Sequence, residues 1–183
     1  MMPQAPEGSP RPRSKPGLER AIREHRRAAL VVNTRSRRGR RRYPAVLAGV
    51  RAAGFDLLGT FPAGQAGGLD ASLSAAMDLQ PDLLIVGGGD GTICEAARRL
   101  AYADTAPGLI PLGTTNNFAR TLGILLTLAG AIGILAGGKV ADVDLGRAWD
   151  TVFATWSAPD CQPKSPPACR TTSNAWPAGP RTR

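Results

Sequence analysis

Histidine and cysteine are scarce in this chain of 183 residues, and their scarcity excludes several kinds of site. The only histidine is His25, near the start of the chain, so a histidine-dependent triad or a His-rich metal site in the body is excluded. The three cysteines, Cys94, Cys161 and Cys169, offer neither a paired disulfide framework nor metal-ligand spacing. This usage is typical of a reducing compartment.

Acidic residues are few at the start of the chain. Residues 1–42 hold 13 Lys and Arg and only 3 Asp and Glu. Residues 43–150 hold 6 Lys and Arg and 10 Asp and Glu. The net charge of +9 is therefore located at the ends of the chain. Proline, glycine and arginine without apolar periodicity favour a basic disordered leader over residues 1–27. The alternative is peripheral contact of residues 1–42 with an anionic membrane, and no nucleic-acid partner is expected.

Long apolar segments are also lacking. Residues 121–138 carry no charge, which reaches the length of a spanning helix, but five of them are glycine. This composition favours a buried or surface helix over a spanning one. Residues 1–14 have no apolar stretch of the kind a secretory signal needs. We therefore expect a cytoplasmic protein, with at most peripheral membrane contact.

Apolar runs and helical patterns alternate along the body of the chain. The predicted strands are residues 28–33, 55–60, 83–86, 109–111 and 140–145. The predicted helices are residues 40–53, 69–79 and 93–102, with another opening near residue 117. This alternation predicts an α/β fold with a mostly parallel sheet and right-handed crossover helices. Ligands of such sheets bind beyond the carboxyl ends of the strands, where both glycine-rich segments fall.

The first glycine-rich segment, Gly88-Gly89-Asp90-Gly91-Thr92, follows a fully apolar strand. Glycines let a backbone approach a phosphate closely, and the N-terminus of the next helix attracts anions. A carboxylate at Asp90 suits this site if Mg²⁺ lies between it and the nucleotide. The alternative is a tight strand-to-helix turn with Asp90 as an ordinary helix cap. The segment matches neither the dinucleotide fingerprint nor the Walker pattern.

The second segment, residues 111–120, has the sequence PLGTTNNFAR. Together with GGDGT about twenty residues earlier, it resembles the diacylglycerol kinase catalytic-domain family, which includes sphingosine kinases and bacterial lipid kinases. An Asn33-Thr34-Arg35-Ser36 turn and a VDLG strand at residues 143–146 extend the resemblance over residues 28–153. The resemblance implies a nucleotide-binding domain like that of phosphofructokinases and NAD kinases.

The same resemblance implies ATP and Mg²⁺ as cofactors and Asp90 as the catalytic and metal-contacting residue. The residues that it places at the nucleotide are Asn33, Ser36, Thr60, Gly88, Gly89, Asp90, Gly91, Thr92, Glu95, Gly113, Thr114 and Asn116. The alternative for Glu95 is a plain acid on the helix surface. Arg120 contacts phosphate or forms a structural salt bridge.

The first loop and the second segment depart from the family pattern. Thr34 replaces the usual proline and Arg37 the usual glycine, which makes the first loop stiffer and more basic. Asn117 stands where aspartate is common, so a metal role at that position is in doubt.

The end of the chain does not continue the resemblance. Family members are longer, and their second half is a β-rich domain that supplies the lipid pocket and the general base. Residues 154–183 are rich in proline and lack apolar periodicity, which predicts a disordered non-family tail. We therefore expect the β-rich domain and the general base to be absent from this chain. A frameshift near residue 154 is the hypothesis, and a genuine short paralogue is the alternative.

These features predict ATP-dependent phosphoryl transfer to a diacylglycerol-like or sphingoid hydroxyl, with nucleotide and lipid as partners. One alternative is an NAD kinase-like enzyme, which shares a Gly-Gly-Asp-Gly loop. The other is a nucleotide-binding remnant without catalysis, which is the interpretation we favour for this chain alone. It could position and bind ATP, but it would lack an acceptor pocket.

Overall fold

The structure, a computed structural model, describes residues 14–64, 68–101, 103–141, 143, 145–148 and 151–154. Most of the predicted leader, residues 1–13, and the predicted tail after residue 154 lie outside the described residues. The elements in chain order are α1 (Lys15–Glu24), β1 (Arg27–Val32), α2 (Arg37–Ala52), β2 (Asp56–Pro62), α3 (Gly68–Asp78), β3 (Leu83–Gly88), α4 (Asp90–Leu100), β4 (Ala106–Pro111), α5 (Asn117–Thr121), α6 (Leu128–Ala136), β5 (Leu145–Ala148) and β6 (Thr151–Ala154).

Four strands form one sheet in the order β2-β1-β3-β4, and every neighbouring pair is parallel. Leu30 in β1 lies opposite Thr60 in β2 on one side and Ile85 in β3 on the other. The predicted α/β fold with a parallel sheet is confirmed. The chain runs from β1 outwards to β2 and then crosses to β3, so the direction of winding reverses between β1 and β3.

Alternate residues of β1 enter two separate apolar clusters, one on each face of the sheet. Ala28, Leu30 and Val32 belong to the cluster that includes side chains of α1, α2 and α6. Ala29 and Val31 belong to the cluster that includes side chains of α3 and α4. Helices therefore cover both faces, which explains why β1 and β3 are apolar at consecutive positions.

The start of the chain differs from the prediction of a disordered leader over residues 1–27. Residues 15–24 form α1, whose Ile22 is 3% exposed and packs in the core. Leu18 joins the same cluster, four residues away on the same side of the helix. The Glu19 carboxylate also accepts a hydrogen bond from the Val140 N–H, at 3.0 Å. The many charged residues between these apolar positions had concealed the helical period.

The predicted fifth strand at residues 140–145 is also wrong. β5 begins at Leu145 and pairs antiparallel with β6, as a separate two-stranded sheet. The Val140 N–H donates to the Glu19 carboxylate of α1 and not to a neighbouring strand.

Residues 121–138 do not form one helix. α5 ends at Thr121, and α6 occupies Leu128–Ala136 with Ala131 and Ile132 buried against the core. Within the part of the chain that the structure describes, no helix combines the length and the apolar character needed to cross a membrane.

Candidate functional site

The loops that follow β1, β3 and β4 surround one cavity of about 920 Å³ at the carboxyl ends of these strands. The cavity therefore lies where the winding of the sheet reverses, which is the usual ligand position in open α/β sheets. It is lined by Asn33, Arg35, Ser36, Arg37, Arg38, Leu69, Gly88, Gly89, Asp90, Gly91, Thr92, Glu95, Leu112, Gly113 and Thr114. Every residue predicted to contact the nucleotide is in this set except Thr60 and Asn116.

The two glycine-rich loops pack backbone against backbone. A Cβ atom placed on Gly113 would lie 2.5 Å from the Cα atom of Gly89, and one on Gly88 would lie 2.5 Å from the Cβ atom of Thr92. Real Cβ atoms do not approach so closely, so glycine is required at both positions by the packing of the loops. Gly91 is different, because no atom lies within 4 Å of the position that its Cβ would take.

Asp90 is the first residue of α4 and is 7% exposed. Its Oδ1 atom accepts a hydrogen bond of 3.0 Å from the Phe118 N–H, one of the N-terminal donors of α5 that have no partner within that helix. Asp90 therefore caps α5, whereas the N-cap of α4 itself is Gly89. The alternative of Asp90 as a cap of its own helix is wrong. The Oδ2 atom has no bond to the described residues.

Asn116 closes the second glycine loop. Its side-chain Oδ1 accepts from the Gly113 N–H at 2.8 Å, and its Nδ2 donates to the Gly113 carbonyl at 2.9 Å. The residue has φ of 50° and ψ of 45°, a left-handed conformation that asparagine tolerates better than most residues. Its buried amide therefore shapes the loop and does not line the cavity.

The first loop is joined to α4 by a hydrogen bond between side chains. Asn33 Nδ2 donates to the Thr92 hydroxyl at 2.8 Å, so the hydroxyl acts as acceptor and keeps its proton for another partner. Ser36 is the N-cap of α2, and its Oγ accepts from the Gly39 N–H at 2.9 Å and donates to the Asn33 carbonyl at 3.4 Å. The Ser36 hydroxyl therefore has an accepting and a donating contact within the loop.

Arginines line the first-loop side of the cavity, and sequence reasoning did not place them at the nucleotide. Arg35, Arg37 and Arg38 are exposed and border the cavity. Arg38 Nη1 donates to the Gly113 carbonyl at 2.5 Å, which joins α2 to the second glycine loop. The replacement of the usual glycine by Arg37 was the available signal.

Acidic groups that could hold a metal are few. Within the described ranges, no group of three or more His, Cys, Asp or Glu side chains could hold a metal ion by itself. Glu95 lines the cavity but bonds to Arg98 Nη1 at 2.8 Å, three residues along the same helix. A Mg²⁺ ion at Asp90 would therefore take most of its other ligands from nucleotide phosphates and water, as Mg²⁺ commonly does.

Three further residues have contacts that the sequence did not indicate. β2 continues beyond Thr60 to Pro62, so Thr60 is paired within the sheet and lies before its carboxyl end. Arg120 Nε donates to the Thr115 carbonyl at 3.0 Å, and its contact with phosphate or in a salt bridge stays a prediction. Cys94 is disulfide-bonded, although the spacing of the three cysteines gave no paired framework.

The family model for the diacylglycerol kinase catalytic domain matches residues 27–148, which is more than half of the chain. The chain belongs to this family. A diacylglycerol kinase of Staphylococcus saprophyticus is 32% identical over 139 residues, which cover 73% of this chain and 45% of the relative. A diacylglycerol kinase of Staphylococcus epidermidis is 37% identical over 93 residues, which cover 49% of this chain and 29% of the relative.

Solved structures agree with this assignment. The crystal structure of a diacylglycerol kinase from Bacillus anthracis matches with a TM-score of 0.60 and 29% identity, over 71% of this chain and 46% of that one. A putative diacylglycerol kinase from the same species matches with a TM-score of 0.62 and 28% identity, over 71% of this chain and 45% of that one. The chain thus spans less than half the length of these family members.

Proposed function

We propose that the cavity binds ATP with Mg²⁺ and serves phosphoryl transfer to a lipid hydroxyl of the diacylglycerol or sphingoid type. The observation that carries this proposal is the meeting of the GGDGT and PLGTTNN segments at one cavity of about 920 Å³. The relatives named diacylglycerol kinase support the lipid acceptor. An NAD kinase-like reaction has less support, because the family model and these relatives are named for diacylglycerol kinases.

Each wall of the cavity supplies a group that a nucleotide triphosphate needs. The N-terminus of α4 offers backbone N–H groups and the positive end of its dipole to an anion. The Thr92 hydroxyl accepts from Asn33, so its own proton can be donated to a phosphate oxygen. The free Oδ2 atom of Asp90 can hold a Mg²⁺ ion that also contacts the phosphates. These groups would bind and orient the nucleotide.

Transfer to the lipid needs a base for the acceptor hydroxyl, and the described cavity offers none that is uncommitted. Asp90 and Glu95 are the carboxylates that line it; the first caps α5 and the second is paired with Arg98. The 183-residue chain alone is therefore proposed to bind ATP without efficient catalysis. For the whole family member, exposed arginines farther along α2, such as Arg41 and Arg42, would favour peripheral contact with an anionic membrane from the cytoplasmic side.

Thermal unfolding with nucleotide tests the binding site. A ligand at 100 times its Kd stabilises the folded state by about 2.7 kcal/mol, so Mg-ATP should raise the Tm of the chain. In Asp90→Asn the amide oxygen can still cap α5, but the charge is lost, so this variant should lose affinity for Mg-ATP and not for metal-free ATP. An equal loss of affinity for Mg-ATP and for metal-free ATP would show that Asp90 does not contact the metal.

Transfer of radiolabelled phosphate to diacylglycerol and to sphingosine tests the proposal that this chain alone lacks efficient catalysis. Loss of a general base alone slows a reaction by about 10²–10⁴-fold, and loss of acceptor positioning adds to this. The chain should therefore be at least about 10²-fold slower than the longer Staphylococcus saprophyticus relative at equal folded concentration. A rate within tenfold of that control would show that these residues suffice for catalysis.

A further inference from the structure

The charge of the cavity depends on the side chains of its first-loop wall. Asp90 and Glu95 are the carboxylates of the described lining, and Arg35, Arg37 and Arg38 are its guanidinium groups. We call these three residues the arginine cluster. Without the arginine cluster the charged lining residues would be acidic only, and they would repel a polyphosphate.

The arginine cluster has no acidic partners among the described residues. Two arginines of α4, by contrast, form ion pairs, Arg98 with Glu95 and Arg99 with Asp70. Arg38 instead bonds to the Gly113 carbonyl, which holds its guanidinium across the cavity and leaves its other N–H groups available. Arg37 is exposed at the cavity and makes no side-chain bond to the described residues.

The position of the arginine cluster is unfavourable for the helix that carries it. α2 begins at Arg37 and has no acidic residue in its first turn, so cations stand at the positive end of the helix dipole. Anionic side chains or ligands are the groups that this position favours. The hydroxyl of Ser36 carries no charge, and it lies 3.4 Å from the Asn33 carbonyl, to which it can donate. A positive contribution from the first loop must therefore come from its arginines or its backbone.

We propose that Arg37 and Arg38 bind the polyphosphate chain of the nucleotide, opposite the N-terminus of α4. This inference rests on the proposed function, because it requires that a nucleotide occupies the cavity. It adds that this chain holds the phosphates partly with guanidinium groups of the first loop, at a position where the family usually has glycine. Arg35 contributes to the same positive field at the rim of the cavity.

Binding of Mg-ATP and of adenosine to the 183-residue chain, measured by titration calorimetry, tests this proposal. Arg37→Gln removes a charge and no bond to the described residues, and Arg41→Gln is the matched control, because Arg41 is exposed on α2 but does not line the cavity. A charge-assisted hydrogen bond corresponds to about a tenfold change in affinity. Arg37→Gln should weaken Mg-ATP by about tenfold, Arg37→Gln with Arg38→Gln by more, and Arg37→Lys by less. Arg41→Gln should change little.

The affinity for adenosine and the Tm without nucleotide distinguish phosphate binding by Arg37 from a structural role. The affinity for adenosine, which has no phosphate, should be the same in the wild type and in Arg37→Gln. The Tm of Arg37→Gln without nucleotide should equal or exceed that of the wild type, because a cation leaves the positive end of α2. Equal weakening of adenosine and Mg-ATP, or a control as weak as Arg37→Gln, would overturn the proposal.

Two outcomes distinguish the failure of this inference from the failure of the proposed function. If the wild type binds Mg-ATP and the double variant binds it equally well, the inference is overturned and the proposed function stands. If the folded wild type binds neither ligand, both are overturned. Binding of the wild type and the double variant to anionic vesicles that contain phosphatidylserine is measured as well. Loss of vesicle binding in the double variant with unchanged Mg-ATP affinity would assign the arginine cluster to a membrane and overturn the proposal.

Discussion

Two helices, α2 and α4, begin at the same cavity, after the adjacent strands β1 and β3, and their first turns carry opposite charges. α4 starts with Asp90 and has Arg98 and Arg99 in its last turn, so its charges agree with the helix dipole. α2 starts with Arg37 and Arg38 and has no acid in its first turn. Asp90 at the start of α4 is buried and accepts a bond from Phe118 in α5, whereas the arginines at the start of α2 are exposed.

This difference separates residues that stabilise the fold from residues that are available to a ligand. Asp90 satisfies a donor of α5, so its loss would affect the structure as well as any bound cation. The Arg37 side chain makes no bond to the described residues, and its charge opposes the dipole of α2. Its presence at the cavity is therefore better explained by the binding of a ligand. Three substitutions test the comparison, in order of decreasing effect on stability.

The largest effect is expected for Asn116→Ala, in the loop that the start of α4 packs against. Alanine would leave the Gly113 N–H and carbonyl without their partner and would hold a left-handed conformation, a combined cost of about 2–4 kcal/mol. Urea denaturation measures it. Asn116→Gly is the control, because glycine adopts the conformation freely and should recover part of the loss. A cost below about 1 kcal/mol for Asn116→Ala would show that the loop is not held by this side chain.

An intermediate effect is expected for Ser36→Ala at the start of α2. Loss of an N-cap costs about 0.5–2 kcal/mol, and here the Ser36 hydroxyl is the cap of the Gly39 N–H. Ser36→Asp keeps the cap and adds a negative charge near the arginines, so it should be at least as stable as the wild type. It should bind Mg-ATP more weakly if the arginine cluster contacts phosphate. Stability loss in Ser36→Asp equal to that in Ser36→Ala would exclude a capping role.

The smallest effect, and the only one expected to increase stability, is that of Gly91→Ala in the first turn of α4. Alanine exceeds glycine by about 0.5–1 kcal/mol within a helix, and the Cβ atom would meet no neighbour within 4 Å. The free protein should therefore unfold at higher temperature. Because Gly91 lines the cavity, binding of Mg-ATP should become weaker. Unchanged binding would show that the nucleotide does not approach Gly91 closely.

The parallel sheet was predictable because each buried strand left a clear local signal. The runs at residues 28–32 and 83–86 are apolar at consecutive positions, which is what a sheet covered on both faces requires. α1 and β5 were missed for a different reason. α1 is stabilised by burial of Ile22 and by a bond from Glu19 to Val140, 121 positions away in the chain, and such contacts leave little local pattern.

The location of the site followed from the sequence, but the roles of individual residues did not. Glycine-rich segments directly after apolar strands predicted that the two loops meet at one edge of the sheet, and a cavity lies there because parallel strands bring their carboxyl ends together. Thr60 lies two residues before the end of β2, and its contact with the nucleotide stays a prediction. Asn116 is near the site but shapes a loop, since its amide reaches the backbone of Gly113. Residue type alone does not show whether such a side chain contacts the ligand or shapes a loop.

The sequence by itself determined the four parallel strands of the main sheet, the two glycine-rich segments and the family, because these depend on local periodicity and on contiguous segments. Only the tertiary structure decided which polar groups are already used within the protein and which remain for a ligand. Asp90 bonds to Phe118, 28 residues later, and Arg38 bonds to Gly113, 75 residues later. The physical reason is that hydrogen bonds and charge pairing depend on distance in space, which the parallel sheet sets by bringing these loops to one edge.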